Sequence, residues 1–146
     1  MAIGFNKKRN DFGVAQERKL EKFIQTFFEE PITPTEKTFA TKDWTVSNRN
    51  IELKSRTDKY NSDSFDKWLC PACKIQEGTA FTLFYFYLAD GTVWKWDYEG
   101  DTAINFETEY PRDWSKPGGR STQLHYLIPK EVFQLVGRMP PTEKLP

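Results

Sequence analysis

Asp43, Glu52 and Lys54 are the residues whose types and spacing point most directly to chemistry. Two carboxylates and an ammonium gathered on one surface suit a divalent cation, a water and a phosphate, which is the equipment of a metal-dependent phosphodiesterase. Side chains alternate along a strand, so Glu52 and Lys54 share one face of Asn50-Ile51-Glu52-Leu53-Lys54-Ser55 while Ile51 and Leu53 take the other. With Trp44 to Val46 as the preceding strand and a turn at Ser47 to Asn50, an antiparallel register pairs Val46 with Ile51, Thr45 with Glu52, Trp44 with Leu53 and Asp43 with Lys54. Trp44, Val46, Ile51 and Leu53 then form an apolar face, and Asp43, Thr45, Glu52 and Lys54 a polar one. A slip of one residue would mix the two faces.

An acid two residues before a lysine is a common pattern, and Glu17-Arg18-Lys19 repeats it. That copy falls in a helical stretch, where residues two apart diverge. The plain alternative for Glu52 and Lys54 is an exposed strand edge with ordinary surface charges. Convergence with Asp43 across a hairpin favours the site.

The elements that must position these groups follow from hydrophobic pattern and breakers. From Asp11 to Glu29, the residues Val14, Leu20, Phe23, Ile24, Phe27 and Phe28 recur at helical spacing, and Pro31 and Pro34 stop the run. Glu17 lies seven residues before Ile24 and so about 20° from it around the helix, which aligns an acid with the buried stripe. Lys37 to Ala40 is expected to form a short strand ahead of the hairpin. Thr57 to Asp66 reads as loop, and Pro71 opens a short helix to Gln76 that carries Lys74. Ala80 to Leu88 is apolar on both alternations, as a strand covered on both sides requires, and Asp90-Gly91 turns it into the partner Thr92 to Tyr98. Residues 99 to 121 read as loop, Leu124 to Ile128 as a strand, and Pro129 to Val136 as a short helix. The segments 1–10 and 137–146 are expected to be extended tails of a single domain spanning 1–146.

Composition narrows the function. The 146 residues suit one compact domain, and 5 Trp, 6 Tyr and 12 Phe let a modest apolar count bury much surface. Basic and acidic residues balance at 21 each, which argues against coating nucleic acid through bulk charge. Local basic patches remain, at Lys7-Lys8-Arg9 and at Arg112, Lys116 and Arg120. No run is long enough to span a membrane and no secretory signal is visible, so a cytoplasmic location without membrane contact is expected. Cys70-Pro-Ala-Cys73 is half a zinc site at most, because His125 is the only histidine; reduced thiols are the expectation. Any hydrolase triad would also need His125, no nucleophile context is present, and Lys116-Pro-Gly-Gly-Arg120 lacks the spacing of a phosphate loop.

The order helix, strand, hairpin, short helix, strong strand, with Asp43 and Glu52-Leu53-Lys54 on the hairpin, resembles the PD-(D/E)xK nuclease superfamily over roughly Gly13 to Leu88. It is most similar to small phage- or prophage-encoded members, in which Glu-Leu-Lys-Ser-Arg precedes a tyrosine loop, a helix with Trp and Lys, and an aromatic strand ending at Asp-Gly. The corresponding residues are Glu52 to Arg56, Tyr60, Trp68, Lys74 and Asp90-Gly91. A proline often precedes the first acid in that superfamily; Lys42 stands there in this chain.

The resemblance implies an α/β (α+β) fold with a restriction-endonuclease-like core: a central mixed β-sheet flanked by helices, order αβββαβ, with C-terminal additions. It implies that Asp43 and Glu52 ligate Mg²⁺, for which Mn²⁺ can substitute, and that the Leu53 carbonyl adds a ligand. Lys54 would orient or deprotonate the attacking water, and Glu17 would match the acid of the first helix. Arg56, one step further on the same strand face, together with Lys74, Arg112, Lys116 and Arg120, are the candidate substrate contacts. The implied activity is DNA phosphodiester hydrolysis on duplex or branched DNA, in the host cytoplasm if phage-encoded and with homodimerisation open.

Two other readings compete. One is an inactive nuclease-fold module that binds DNA or protein, in which Trp94, Trp96, Tyr98 and Trp114 stack on bases or face a partner; core packing is the simpler role for most of them. The other, a zinc or redox protein centred on the cysteine pair, has the least support.

Overall fold

A computed structural model describes residues 19–35, 43–57, 59–113 and 116–139. The expected strand at Lys37 to Ala40, Glu17, Lys7-Lys8-Arg9 and Trp114 lie outside the described residues. The fold is α+β and mostly sheet. A helix, α1, covers residues 19–25. The strands are β1 (Thr33–Pro34), β2 (Trp44–Val46), β3 (Arg49–Arg56), β4 (Lys67–Pro71), β5 (Ala80–Tyr87), β6 (Thr92–Tyr98), β7 (Glu107–Glu109), β8 (His125–Pro129) and β9 (Gln134–Arg138). Six of them form a mixed sheet in the order β1-β2-β3-β5-β6-β9, with β3 and β5 parallel and the other neighbours antiparallel. The remaining three form a small antiparallel sheet in the order β4-β8-β7. Among the described residues no helix is long and apolar enough to cross a membrane.

The central strand β5 divides the core as its double-sided apolar pattern requires. Phe84 and Phe86 face α1, where they pack with Leu20, Ile24, Trp44, Ile51 and Leu53. Phe81, Leu83, Tyr85 and Tyr87 face the small sheet and pack with Trp68, Cys70, Ile128 and Phe133. Trp68 joins the two sheets, with its ring centroid 5.1 Å from Tyr85, 5.0 Å from Tyr87 and 4.6 Å from Phe133. Trp94 and Trp96 belong to the same aromatic cluster. The Gln25 amide secures the exit from α1: it donates to the Phe28 and Glu30 carbonyls and accepts from the Ile32 N–H at 2.8 Å.

Several segments differ from the sequence expectation. The path from β3 to β5 runs through β4 and a single 3-10 turn at Ala72–Lys74, where a helix from Pro71 to Gln76 was expected. Pro71 ends a strand because β4 pairs residue for residue with β8, from Lys67 opposite Pro129 to Pro71 opposite His125. Pro129 likewise precedes one 3-10 turn, Lys130–Val132, and the chain then enters β9. The tail expected from Gly137 is therefore strand as far as Arg138; Gly137 lies so close to Phe23 that a Cβ would come within 2.5 Å of its ring. The expected loop 99–121 contains β7, held by β8.

Candidate active site

The β2–β3 hairpin has the expected faces and a different register. Trp44 pairs with Ile51, Thr45 with Asn50 and Val46 with Arg49, leaving Ser47-Asn48 as a two-residue loop. Ser47 takes a positive φ of 47°, a conformation that primed hairpin turns use at their first loop position. The shift by two residues preserves parity, so the apolar and polar faces survive. Arg49 fixes it from the side: its guanidinium donates to Thr82 Oγ1 at 3.0 Å and to the Phe81 carbonyl at 3.2 Å, and pairs with Glu99. These bonds make Arg49 a strand residue rather than the turn residue expected.

Asp43 is consequently level with Glu52 instead of Lys54. Its backbone N–H donates to the Ile51 carbonyl at 2.9 Å, and its carboxylate Oδ2 accepts the Leu53 N–H at 2.6 Å. The Asp43 and Glu52 carboxyls interact with each other across the hairpin. Glu52 is only 2% exposed. Burial pushes its pKa up from 4.5 to about 7, against Lys54 and Lys74, which lower it, while the Asp43 charge and carboxyl contact raise it further. The Lys74 ammonium lies 2.9 Å from Glu52 Oε2. That contact is an ion pair at a buried carboxylate oxygen.

The alternation that brings Glu52 to this face brings Lys54 and Arg56 with it. Arg56 donates to the Tyr85 hydroxyl at 2.9 Å, and that hydroxyl donates to the Leu69 carbonyl, so the guanidinium is tied to β5 and β4. Lys54 and Arg56 line a cleft of about 310 Å³ whose other walls include Arg112, Gln123 and His125. The loop carrying Arg112 is closed by a bridge between Arg112 and Arg120 and by the Ser121 N–H donating to the Pro111 carbonyl at 2.8 Å. Lys116 and Arg120 belong to that loop and do not line the cleft. Cys70 is buried and Cys73 exposed, both as free thiols, and burial pushes the Cys70 pKa up to about 12.

Asp43, Glu52, Lys54 and Lys74 are thus gathered in one place, and Arg56 and Arg112 in the adjoining cleft. Glu17 lies outside the described residues. Among the described residues, the helix acid that reaches the hairpin is Glu21, which accepts the Trp44 indole N–H at 3.0 Å on the face opposite Glu52. His125 is the cleft residue that the sequence reading left without a role. Its signal was its place at the head of an apolar strand, two residues after polar Gln123, a pattern too common to single it out.

Two adjacent carboxylates fit Mg²⁺, which takes one or two protein carboxylates and completes its shell with water and phosphate oxygens, although the Lys74 ammonium already stands at one of their oxygens. No group of three or more His, Cys, Asp or Glu that could hold a metal ion occurs among the described residues. No family model matches the sequence, and comparisons with curated proteins and with solved structures find no match.

Proposed function

We propose that this protein is a Mg²⁺-dependent nuclease that hydrolyses DNA phosphodiester bonds, built on a PD-(D/E)xK core. The observation that carries the reading is the contact between the Asp43 and Glu52 carboxyls, on the strand face they share with Lys54. Parallel pairing of β3 with β5 beside an antiparallel β2–β3 hairpin supports that core, although β4 and a 3-10 turn occupy the crossover where a helix is expected.

Asp43 and Glu52 would hold the ion, with the Leu53 carbonyl as a further ligand. Bound there, Mg²⁺ would supply a more acidic water and offset charge on the phosphate oxygens. Lys54 fixes a positive charge where a phosphate meets the acids and orients the water for in-line attack. Arg56, already oriented by Tyr85, grips a neighbouring phosphate. Lys74 balances the Glu52 charge and keeps the carboxylate from being left alone in a buried place.

Incubation of the purified protein with plasmid and branched DNA in Mg²⁺ or Mn²⁺ tests the reading. Cleavage that stops with chelator and is lost in Glu52→Ala, Lys54→Ala and Asp43→Ala is expected; undiminished cleavage by Glu52→Ala would overturn it. One observation favours the inactive-module reading: Lys74 already supplies a cation at Glu52. Calorimetry separates the two, since a module without metal chemistry would bind neither Mg²⁺ nor Mn²⁺.

A further inference from the structure

The cleft beside the acids is lined by more cations than a single phosphodiester engages. Lys54 and Arg56 on β3 face Arg112 on the 111–121 loop, and Asp113 is the one acid among the described lining residues. Three cationic side chains thus stand against one carboxylate among the described residues lining about 310 Å³. His125 adds none at neutral pH, because burial, with Lys54 and Arg56 nearby, holds its pKa below the ordinary value. Its Nδ1 is 3.0 Å from the Gln123 carbonyl, which can only accept, so Nδ1 carries the hydrogen and Nε2 is the acceptor of the ring.

A phosphodiester in a nucleic-acid chain carries one negative charge, whereas a phosphate monoester carries about −1.5 to −2 at pH 7 and offers three acceptor oxygens. The forked guanidiniums of Arg56 and Arg112 and the ammonium of Lys54 match that charge and that acceptor count. Lys54 also acts on Glu52, which puts the cleft directly beside the acid pair. We propose that the cleft is a binding site for a phosphate monoester, carried on the end of a nucleic-acid strand. The strand-end assignment rests on the nuclease reading; the monoester assignment rests on the cleft alone.

Fluorescence anisotropy in EDTA tests it, with one short single strand carrying a 5′-phosphate, a 3′-phosphate or hydroxyl ends, and with a nucleoside monophosphate as competitor. One phosphorylated end is expected to bind at least about tenfold more tightly than the hydroxyl-ended strand, the effect of an added charge-assisted hydrogen bond. Arg112→Ala, at an exposed position, is expected to remove most of that preference while leaving the circular dichroism spectrum unchanged. A nucleoside monophosphate that binds as tightly as the phosphorylated strand keeps the monoester site and makes a free nucleotide its source. Equal affinity for phosphorylated and hydroxyl ends overturns the proposal, as does a preference that persists in both Arg112→Ala and Lys54→Ala. End preference in a wild-type protein that cuts no DNA would leave the cleft standing and remove the nuclease reading.

Discussion

The Lys74 ammonium lies 2.9 Å from Oε2 of Glu52, joining the turn after β4 to the middle of β3. Glu52 is almost wholly buried, so Lys74 is part of what makes an ionised carboxylate tolerable there. Replacing Lys74 by Met leaves that charge less compensated. The expected loss of stability is about 3 kcal/mol at pH 8.5, where Glu52 is ionised, and much smaller at pH 5, where it is protonated. Urea denaturation at the two pH values checks this. In a Glu52→Gln background the same Lys74→Met change should cost far less, and an equal cost in both backgrounds would show that the pair is not coupled.

The raised pKa of Glu52 also sets a sign for the pH dependence of the metal-free protein. Below pH 4.5 the carboxyl is protonated in both folded and unfolded chains, and its burial carries no charge penalty. Between 4.5 and about 7 the unfolded chain releases the proton while the folded one keeps it, so stability falls as pH rises and the loss is complete above the folded value. The window corresponds to about 3 kcal/mol at about 1.4 kcal/mol per pH unit. Glu52→Gln should remove this slope and be the more stable protein at pH 8. Magnesium should restore stability to the wild type at that pH and do nothing for the variant, which thermal denaturation with and without the ion can read.

Asp43 has a structural task besides its proposed metal role, because its carboxylate accepts the Leu53 N–H at 2.6 Å. Asn can keep that bond through its own oxygen, whereas Ala removes the acceptor at a cost of about 1–2 kcal/mol. Asp43→Asn is therefore expected to fold with near wild-type stability and to lose roughly tenfold or more in Mn²⁺ affinity by calorimetry. Unchanged affinity in that variant would remove Asp43 from the metal site.

The polar face of the hairpin was legible because alternation depends only on parity, and the true register differs from the expected one by an even number of residues. What local pattern could not give was which residues close the turn. Arg49 joins β3 because Thr82, Phe81 and Glu99, distant in sequence, receive its guanidinium. The double-sided apolar run of β5 also announced its central position. Pro71 and Pro129 misled for one reason: each suits the first turn of a helix, and each instead ends a strand that a partner strand holds. The cleft was hidden because its walls come from β3 and from a loop more than fifty residues later, brought together only by the small sheet.

Tyr85 links that small sheet to the cleft. Its hydroxyl accepts from Arg56 at 2.9 Å and donates to the Leu69 carbonyl, so one oxygen both orients a cleft cation and satisfies a β4 carbonyl. Burial raises the Tyr85 pKa, so the hydroxyl keeps its proton and can make both bonds across the neutral range. Tyr85→Phe preserves the ring contacts with Trp68 and Phe133 and removes only these two bonds. The expected loss is about 1–3 kcal/mol in chemical denaturation, since a part-buried carbonyl and a guanidinium each lose a partner. DNA affinity in EDTA should fall as well, because Arg56 is then no longer held toward the cleft. A loss of stability with unchanged affinity would mean that the hydroxyl braces β4 alone and that Arg56 reaches its phosphate without it.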